Sequence, residues 1–165
     1  LLIKDCKAVV LDVQKFHEIN QLKDRLDKLN HLKNYLLSQI RNHWENSHTP
    51  VLFTSRKFVS LNGNQAQVQF FYSLSLFIAE IVAELQSDMG YLISKGGITS
   101  NSILSDAFKA DYVYLEGQIV QGISLVTLKL KNNTKKIPMV TFPGNIGNEN
   151  TLVEVWRILE NKNTK

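Results

Sequence analysis

A pair of glycines between an apolar run and an amphipathic segment most constrains what this chain can fold into. The apolar run is 91–94 (Tyr-Leu-Ile-Ser), the glycines are Gly96 and Gly97, and apolar residues at helical spacing begin at Ile103. Glycine permits the positive φ angles of a tight strand-to-helix turn and carries no Cβ to block a ligand. The start of such a helix has unpaired backbone N–H groups, and its dipole favours an anion. We therefore interpret residues 95–101 as a loop that holds the phosphates of a nucleotide.

A second glycine-rich segment has the same placement between a predicted strand and a predicted helix. Residues 143–147 (Pro-Gly-Asn-Ile-Gly) follow an apolar strand predicted at 137–142 and precede a helix predicted from Thr151. Either segment taken alone is also explained by a tight turn without a ligand, and that alternative stays open. Two glycine-rich strand-to-helix turns in one chain favour close approach of a ligand.

Predicted strands and helices alternate along the 165 residues. Apolar runs predict strands at 8–13, 51–54, 91–94, 112–115 and 137–142. Apolar residues at helical spacing predict helices at 18–44, at 67–86, from 103 and from 151. Short apolar runs interrupted by Gly117 and Gly122 predict a small β-hairpin insertion within 116–130. The alternation is typical of an α/β fold with a mostly parallel sheet flanked by helices, and we expect one domain over 1–165.

Composition and charge narrow the class of protein. Hydrophobic residues make up 44% and charged residues 21%, as in an ordinary soluble globular protein, and no apolar stretch approaches the roughly 20 residues of a membrane span. The single cysteine, Cys6, cannot form an internal disulfide, which favours the cytoplasm. The net charge of +4 is explained by a solvated surface, since basic residues do not interleave with aromatic ones. We expect neither a membrane nor a nucleic acid as partner.

Two common nucleotide-binding motifs are missing from the sequence. No G-x-x-x-x-G-K-[ST] segment occurs, which excludes a Walker-type site, and no G-x-G-x-x-G follows the first predicted strand. The four histidines lack metal-ligand spacing, so no metal ligand is assigned to the protein.

Polar and charged residues near predicted strand ends are candidate ligand contacts. Ser55 and Arg56 follow the strand at 51–54, and Lys95 precedes the glycine pair. An arginine side chain can bind a phosphate or carboxylate through two parallel hydrogen bonds. For Arg56 a surface side chain paired with an acid is the open alternative, and for Lys95 a side chain that points away from the loop. Because ligands bind beyond the carboxyl ends of strands in open parallel sheets, we expect 54–56, 96–101 and 143–147 at one edge.

Five segments in a fixed order resemble the C-terminal, nucleotide-binding domain of the four-carbon acid sugar kinase family. They are the strand ending in Thr-Ser-Arg at 51–56, the helix at 75–85, Lys-Gly-Gly-Ile-Thr-Ser at 95–100, the Gly-Ile ending of 117–123 and Phe-Pro-Gly-Asn-Ile-Gly at 142–147. The resemblance spans residues 50–160 and is weaker upstream. The chain departs from the family pattern at Ser124, where proline is usual, and at Phe142, where lysine is frequent.

The resemblance implies an ATP-dependent kinase that phosphorylates a hydroxyl of a four-carbon, tetronate-like acid sugar, with Mg²⁺ as a further cofactor. It also implies that the acid sugar binds mainly to an N-terminal domain preceding Leu1, so we expect this fragment to be inactive without that domain. The catalytic base is left unassigned. The alternative function is a non-catalytic nucleotide- or anion-binding regulatory module. The oligomeric state is left open, with a homodimer as the assembly considered.

The resemblance also implies which residues form the site. The nucleotide-binding residues are Gly96, Gly97, Ile98, Thr99, Ser100, Gly144, Asn145 and Gly147. The residues expected to contact phosphate or substrate are Ser55, Arg56 and Gly122. We expect Thr99 or Ser100 to cap the third predicted helix, with a water-mediated contact to Mg²⁺ as an additional role.

Overall fold

The computed structural model describes residues 4–56, 61, 63–129 and 135–160. The chain divides into two compact units, Leu1–Phe77 and Ile78–Lys165. The boundary between them lies within one long helix, Asn64–Leu85.

The first unit contains a two-stranded parallel sheet and helices. Its elements are β1 (Cys6–Leu11), α1 (Val13–Asn20), α2 (Arg25–Glu45), β2 (Thr49–Thr54) and the first part of α3 (Asn64–Leu85). The ring of Phe16, on α1, packs against Phe70 and Phe77 of α3 with centroid distances of 5.9 and 5.2 Å. Burial of an aromatic side chain of this size contributes about 1.5–3 kcal/mol, so these contacts stabilise the unit.

The helix predicted over 18–44 is two helices in the structure. The amides of Gln21 and Leu22 donate to the carbonyls of Glu18 and Ile19, which closes α1 before α2 begins. Leu22 is 41% exposed and Leu26 is 71% exposed, although the helical spacing assigns both to the buried stripe. Leucines at helical spacing on both sides of the break conceal it, because periodicity alone does not report where a helix ends.

The second unit contains a four-stranded sheet with the strand order β3-β6-β5-β4. The strands are β3 (Leu92–Lys95), β4 (Tyr114–Val120), β5 (Ile123–Lys129) and β6 (Lys136–Phe142). The helices are the second part of α3, α4 (Gly97–Ser102) with a π-helical turn at Ile103–Ala107, and α5 (Thr151–Leu159). β3 and β6 pair in parallel, whereas β4 with β5 and β5 with β6 are antiparallel.

The structure confirms an α/β fold and corrects the predicted sheet. A mostly parallel sheet is wrong, because one sheet is a parallel pair and the other is mixed. The predicted hairpin exists as β4 and β5, but it is not a separate insertion: β5 pairs with β6 from Ser124 opposite Thr141 to Lys129 opposite Lys136. Isolated two-stranded hairpins are marginally stable, and this one is completed by the neighbouring strand.

Helix α3 is long and apolar enough, by length and composition, to cross a membrane. An 18-residue window within it has a mean hydropathy of 1.5 and is 44% buried inside the protein. This corrects the expectation that no apolar stretch approaches membrane length. Phe70, Leu74 and Ile81 of this helix are buried inside the protein. A core helix of a soluble protein has the same length and apolar composition, so α3 is weak evidence for a membrane span. That the chain has no membrane partner stays a prediction.

Candidate functional site

Three turns lie at one edge of the four-stranded sheet. Lys95, the last residue of β3, is the parallel partner of Phe142, the last residue of β6, so the chain leaves both strands at the same edge. β5 runs antiparallel to β6 and begins at this edge, with Ser124 opposite Thr141. The turn before β5, which contains Gly122, therefore reaches it as well. We call the turns at 96–99, 121–122 and 143–147 the glycine edge.

A buried apolar cluster supports the glycine edge from inside. Ile123, Val140, Phe142 and Val155 form this cluster, and each is at most 2% exposed. Close contact between two of the turns adds to the support, because a Cβ on Gly122 would lie 3.4 Å from the Cδ1 of Ile146. Packed interiors tolerate little displacement, so the turns are held on a rigid base.

The predicted segment 54–56 does not belong to this sheet. It begins at the last residue of β2, in the other unit, so the expectation that all three segments leave one sheet is wrong. The hydroxyl of Ser55 accepts a hydrogen bond of 3.0 Å from the amide of Val13, at the start of α1. The amide of Ser55 donates to the carbonyl of Leu11 at 2.9 Å. Arg56 is exposed, and in the described part of the chain it takes part in no ion pair.

The turn after β3 has the predicted strand–glycine–helix form. Gly96 has φ 105° and ψ 135°, a conformation that L side chains rarely adopt, and it is the N-cap residue of α4. Its amide donates to the carbonyl of Phe142 at 2.9 Å, and the amide of Ser100 donates to the carbonyl of Gly96 at 3.0 Å. Protein acceptors therefore occupy two of the amides that were assigned to phosphate.

The amides of Gly97, Ile98 and Thr99 are the donors that this turn leaves for a ligand. Across the described ranges, none of the three donates to a backbone or side-chain acceptor. Gly97 and Ile98 are exposed, and a Cβ on Gly97 would meet no atom within 4 Å. The first amides of a helix lack an intrahelical partner, which explains why these three donors are left over.

The hydroxyl groups of this turn differ in their surroundings. The hydroxyl of Ser100 is 2.9 Å from the Oγ of Ser94 and donates to it inside the protein, where Ser100 is 7% exposed. Neither Ser100 nor Thr99 caps α4, since the N-cap residue is Gly96 and no side chain bonds to the cap. The predicted capping role is wrong because the chain enters the helix one turn earlier than the hydroxyls. Thr99 is half-buried.

The turn after β6 contains two glycines with different reasons for being glycine. Gly147 has φ 85°, and a Cβ there would lie 2.8 Å from the Cβ of Thr151. The Oγ1 of Thr151 accepts from the amide of Asn148 at 2.9 Å and donates to its Oδ1 at 3.1 Å, which ties the turn to α5. Gly144 and Asn145, by contrast, are exposed, and a Cβ on Gly144 would meet no atom within 4 Å.

A cation whose role the sequence left open also lies at the glycine edge. The Nζ of Lys95 is 4.1 Å from the ring centroid of Phe142 and donates to the carbonyls of Pro143 at 3.1 Å and Gly144 at 3.3 Å. The side chain thus ties the end of β3 to the turn that follows β6. No sequence signal indicates this contact, because it depends on the pairing of two strands that are far apart along the chain.

Metal ligands and cavities elsewhere do not add to the site. In residues 4–56, 61, 63–129 and 135–160, no group of three or more His, Cys, Asp or Glu side chains could hold a metal ion. A shallow cavity of about 390 Å³ lies toward the opposite end of β5 and β6, and its lining contains no predicted site residue. The lining consists of Tyr114, Leu115, Glu116, Thr127, Lys129 and Lys136.

Comparisons with known proteins agree with this architecture. Two solved structures of a domain of unknown function (DUF1537) from Bordetella bronchiseptica, both described as domain-swapped dimers with bound citrate, share the fold. One has a TM-score of 0.66 at 14% identity, over 97% of this chain and 36% of that chain. The other has a TM-score of 0.59 at 15% identity, over 97% and 34%. The present chain therefore spans about a third of the length of these proteins.

The family comparison covers most of the sequence. A search of curated proteins found no match. The family model of the nucleotide-binding C-terminal domain matches residues 5–152, which confirms the resemblance at the level of that domain. The chain belongs to the family of nucleotide-binding C-terminal domains.

Proposed function

We propose that this chain is the ATP-binding domain of a kinase that phosphorylates a hydroxyl of a four-carbon, tetronate-like acid sugar. Membership of the nucleotide-binding family supports a nucleotide as ligand. The observation that carries the site is the set of three amides, at Gly97, Ile98 and Thr99, without a protein acceptor in the described part of the chain. The acid sugar rests on the resemblance of segments 95–100 and 142–147 to the sugar-kinase family.

The residues present fit a polyphosphate. Backbone N–H groups that lack a protein acceptor are suited to phosphate oxygens, and Gly97 and Gly144 have empty space where a Cβ would lie. Asn145 is exposed beside Gly144 and offers an amide side chain to the nucleotide. Phosphoryl transfer depends mainly on positioning and charge stabilisation, which such a turn supplies.

Mg²⁺ would be held mainly by the phosphates rather than by a cluster of protein ligands. Mg²⁺ keeps several waters and usually takes few protein ligands, and when bound it neutralises phosphate charge. Thr99 is the better candidate for a water-mediated contact, since the Ser100 hydroxyl is bonded to Ser94 in the interior.

The remaining parts of the reaction are assigned outside this chain. The chain spans about a third of the length of its solved relatives, and we place the acid-sugar site and the catalytic base on the preceding domain. Arg56 is proposed to contact phosphate or substrate from its exposed position after β2. The dimeric state described for the relatives supports a homodimer. The cytoplasmic location is proposed because the single cysteine cannot form an internal disulfide.

Calorimetric titration of the chain with ATP and Mg²⁺ tests the nucleotide part. We expect ATP to bind more tightly than adenosine, because the phosphates carry the contacts. An absence of ATP binding would contradict the proposal that this chain is an ATP-binding domain. Turnover of tetronate-like acid sugars by the full-length protein tests the kinase part, and binding of ATP without turnover of any such acid would favour the regulatory module.

A further inference from the structure

We propose that Lys95 is the fixed cation of the glycine edge and binds the polyphosphate tail of the nucleotide. This inference deepens the proposed function and rests on it. The Nζ of Lys95 lies 4.1 Å from the ring centroid of Phe142, 3.1 Å from the carbonyl oxygen of Pro143 and 3.3 Å from that of Gly144. One aromatic face and two carbonyls therefore hold a single ammonium group.

Strand pairing explains why the side chain is held there. Lys95 and Phe142 are parallel partners at the ends of β3 and β6, so their side chains stand side by side on the same face of the sheet. The ring of Phe142 belongs to the buried cluster and is 2% exposed, which makes it a rigid support. Exposed lysines usually sample many rotamers, and attraction to an aromatic face reduces that freedom.

The charge of this ammonium group is not neutralised by a carboxylate. Both of its hydrogen-bond acceptors are neutral carbonyls, and among the described residues no carboxylate forms an ion pair with it. A lysine ammonium has three N–H donors, and two carbonyls account for two of them. One donor and a full positive charge are available to an anion at the glycine edge.

The other donors of the edge favour the same kind of ligand. The amides of Gly97, Ile98 and Thr99 begin two residues after Lys95 and lack protein acceptors within the described ranges. Several N–H donors and one cation, with no carboxylate paired to the cation, match a group with many anionic oxygens. A polyphosphate has this chemistry, whereas the nucleoside part of a nucleotide does not.

A purely structural role for Lys95 makes a different prediction. If the side chain only ties the Pro143–Gly144 turn to β3, its loss disturbs the whole edge and weakens every ligand that binds there. If the charge binds phosphate, its loss weakens anionic ligands and leaves the neutral nucleoside unaffected. Comparing ATP, tripolyphosphate and adenosine separates the two roles.

The variant that tests the charge is Lys95→Met. Methionine keeps an unbranched side chain over the ring of Phe142 and removes the ammonium group. The matched control is Lys136→Met, which makes the same charge change at the opposite end of β6. Calorimetry with wild type and both variants should show ATP–Mg²⁺ and tripolyphosphate weakened about tenfold or more in Lys95→Met. Adenosine binding should not change, and Lys136→Met should behave as wild type.

Two other results would contradict the proposal. If the affinities for adenosine and ATP fall equally, Lys95 only holds the Pro143–Gly144 turn in place. If the affinities for ATP and tripolyphosphate do not change, Lys95 does not contact the phosphates. If wild type binds tripolyphosphate but not ATP, the proposed function fails, and Lys95 is judged on tripolyphosphate alone. If it binds neither, both proposals fail. Should Lys95→Met not fold, Lys95→Gln removes the charge with a polar side chain and is compared in the same way.

Discussion

A Cβ placed on Gly147 would lie 2.8 Å from the Cβ of Thr151. Gly147, in the turn after β6, therefore lies close against Thr151, the first residue of α5, which is 7% exposed. The φ of Gly147 is 85°, in the left-handed region that favours glycine. Gly147 is therefore required by the fold, whether or not a ligand binds at this turn.

Replacement of Gly147 by alanine should destabilise the protein by about 2 kcal/mol or more, because strain at positive φ adds to the clash with Thr151. Urea denaturation measures the free energy of unfolding. The matched control is Gly144→Ala, which places a Cβ in open space within the same turn and should leave the free energy of unfolding nearly unchanged. Equal stability of the two variants would contradict the packing described for Gly147.

Replacement of Gly97 by valine should abolish ATP binding and leave the fold intact. The added side chain meets no protein atom near its Cβ, so its bulk projects into the space beside the donor amides. Calorimetric titration with ATP and Mg²⁺ measures the affinity, and thermal denaturation reports the fold.

Gly90→Val is the control for Gly97→Val, because Gly90 is also exposed with open space at its Cβ but precedes β3 rather than following it. It should bind ATP as wild type does. Unaltered affinity in Gly97→Val would show that the phosphates bind elsewhere.

Replacement of Ser100 by alanine should lower the free energy of unfolding by about 1 kcal/mol, because it removes the buried hydrogen bond to Ser94. The affinity for ATP should stay the same, since the lost hydroxyl faces the interior. Denaturation and calorimetry on the same preparation test both parts. Ser105→Ala serves as control, because its hydroxyl bonds at the exposed surface. Loss of ATP affinity at unchanged stability would instead indicate that Ser100 contacts the nucleotide.

Replacement of Ser55 by alanine should cost about 1 kcal/mol of stability, because the amide of Val13 at the start of α1 loses its acceptor. Arg56→Ala should change stability by less than about 0.5 kcal/mol, since the side chain is exposed. Turnover by the full-length protein then separates their roles. A loss of activity confined to Arg56→Ala would support its contact with phosphate or substrate, and full activity would remove it from the site.

The sequence predicted local features of the site well. Glycines at 96–97 between an apolar run and an amphipathic segment indicated the strand-to-helix turn, and Gly96 does adopt the positive φ that only glycine accommodates easily. Apolar residues at helical spacing within 67–86 likewise predicted the helix observed as α3, although Phe71, which that spacing assigned to the core, is 51% exposed. Such features depend on residues that are neighbours along the chain, so they can be predicted from the sequence.

Features that depend on strand pairing were missed or misread. Apolar runs predict strands but do not indicate whether neighbouring strands run parallel or antiparallel. The alternation with helices therefore predicted a mostly parallel sheet, whereas β5 is antiparallel to both of its neighbours. Thr99 and Ser100 are residue types that often cap helices, yet the hydroxyl of Ser100 bonds to Ser94 across the turn. A polar residue type is compatible with both places, and only the surrounding packing distinguishes them.

By itself, the sequence determined the alternation of strands and helices, the two glycine-rich turns and the nucleotide-binding family. Tertiary structure alone decided that Lys95 contacts Phe142 and that Gly147 packs against Thr151. It also decided that the strand before Ser55 and the strand before Gly96 belong to different sheets. The physical reason is that backbone propensity and periodicity act over a few residues. Contacts between distant strands are set instead by the register and direction in which those strands pair.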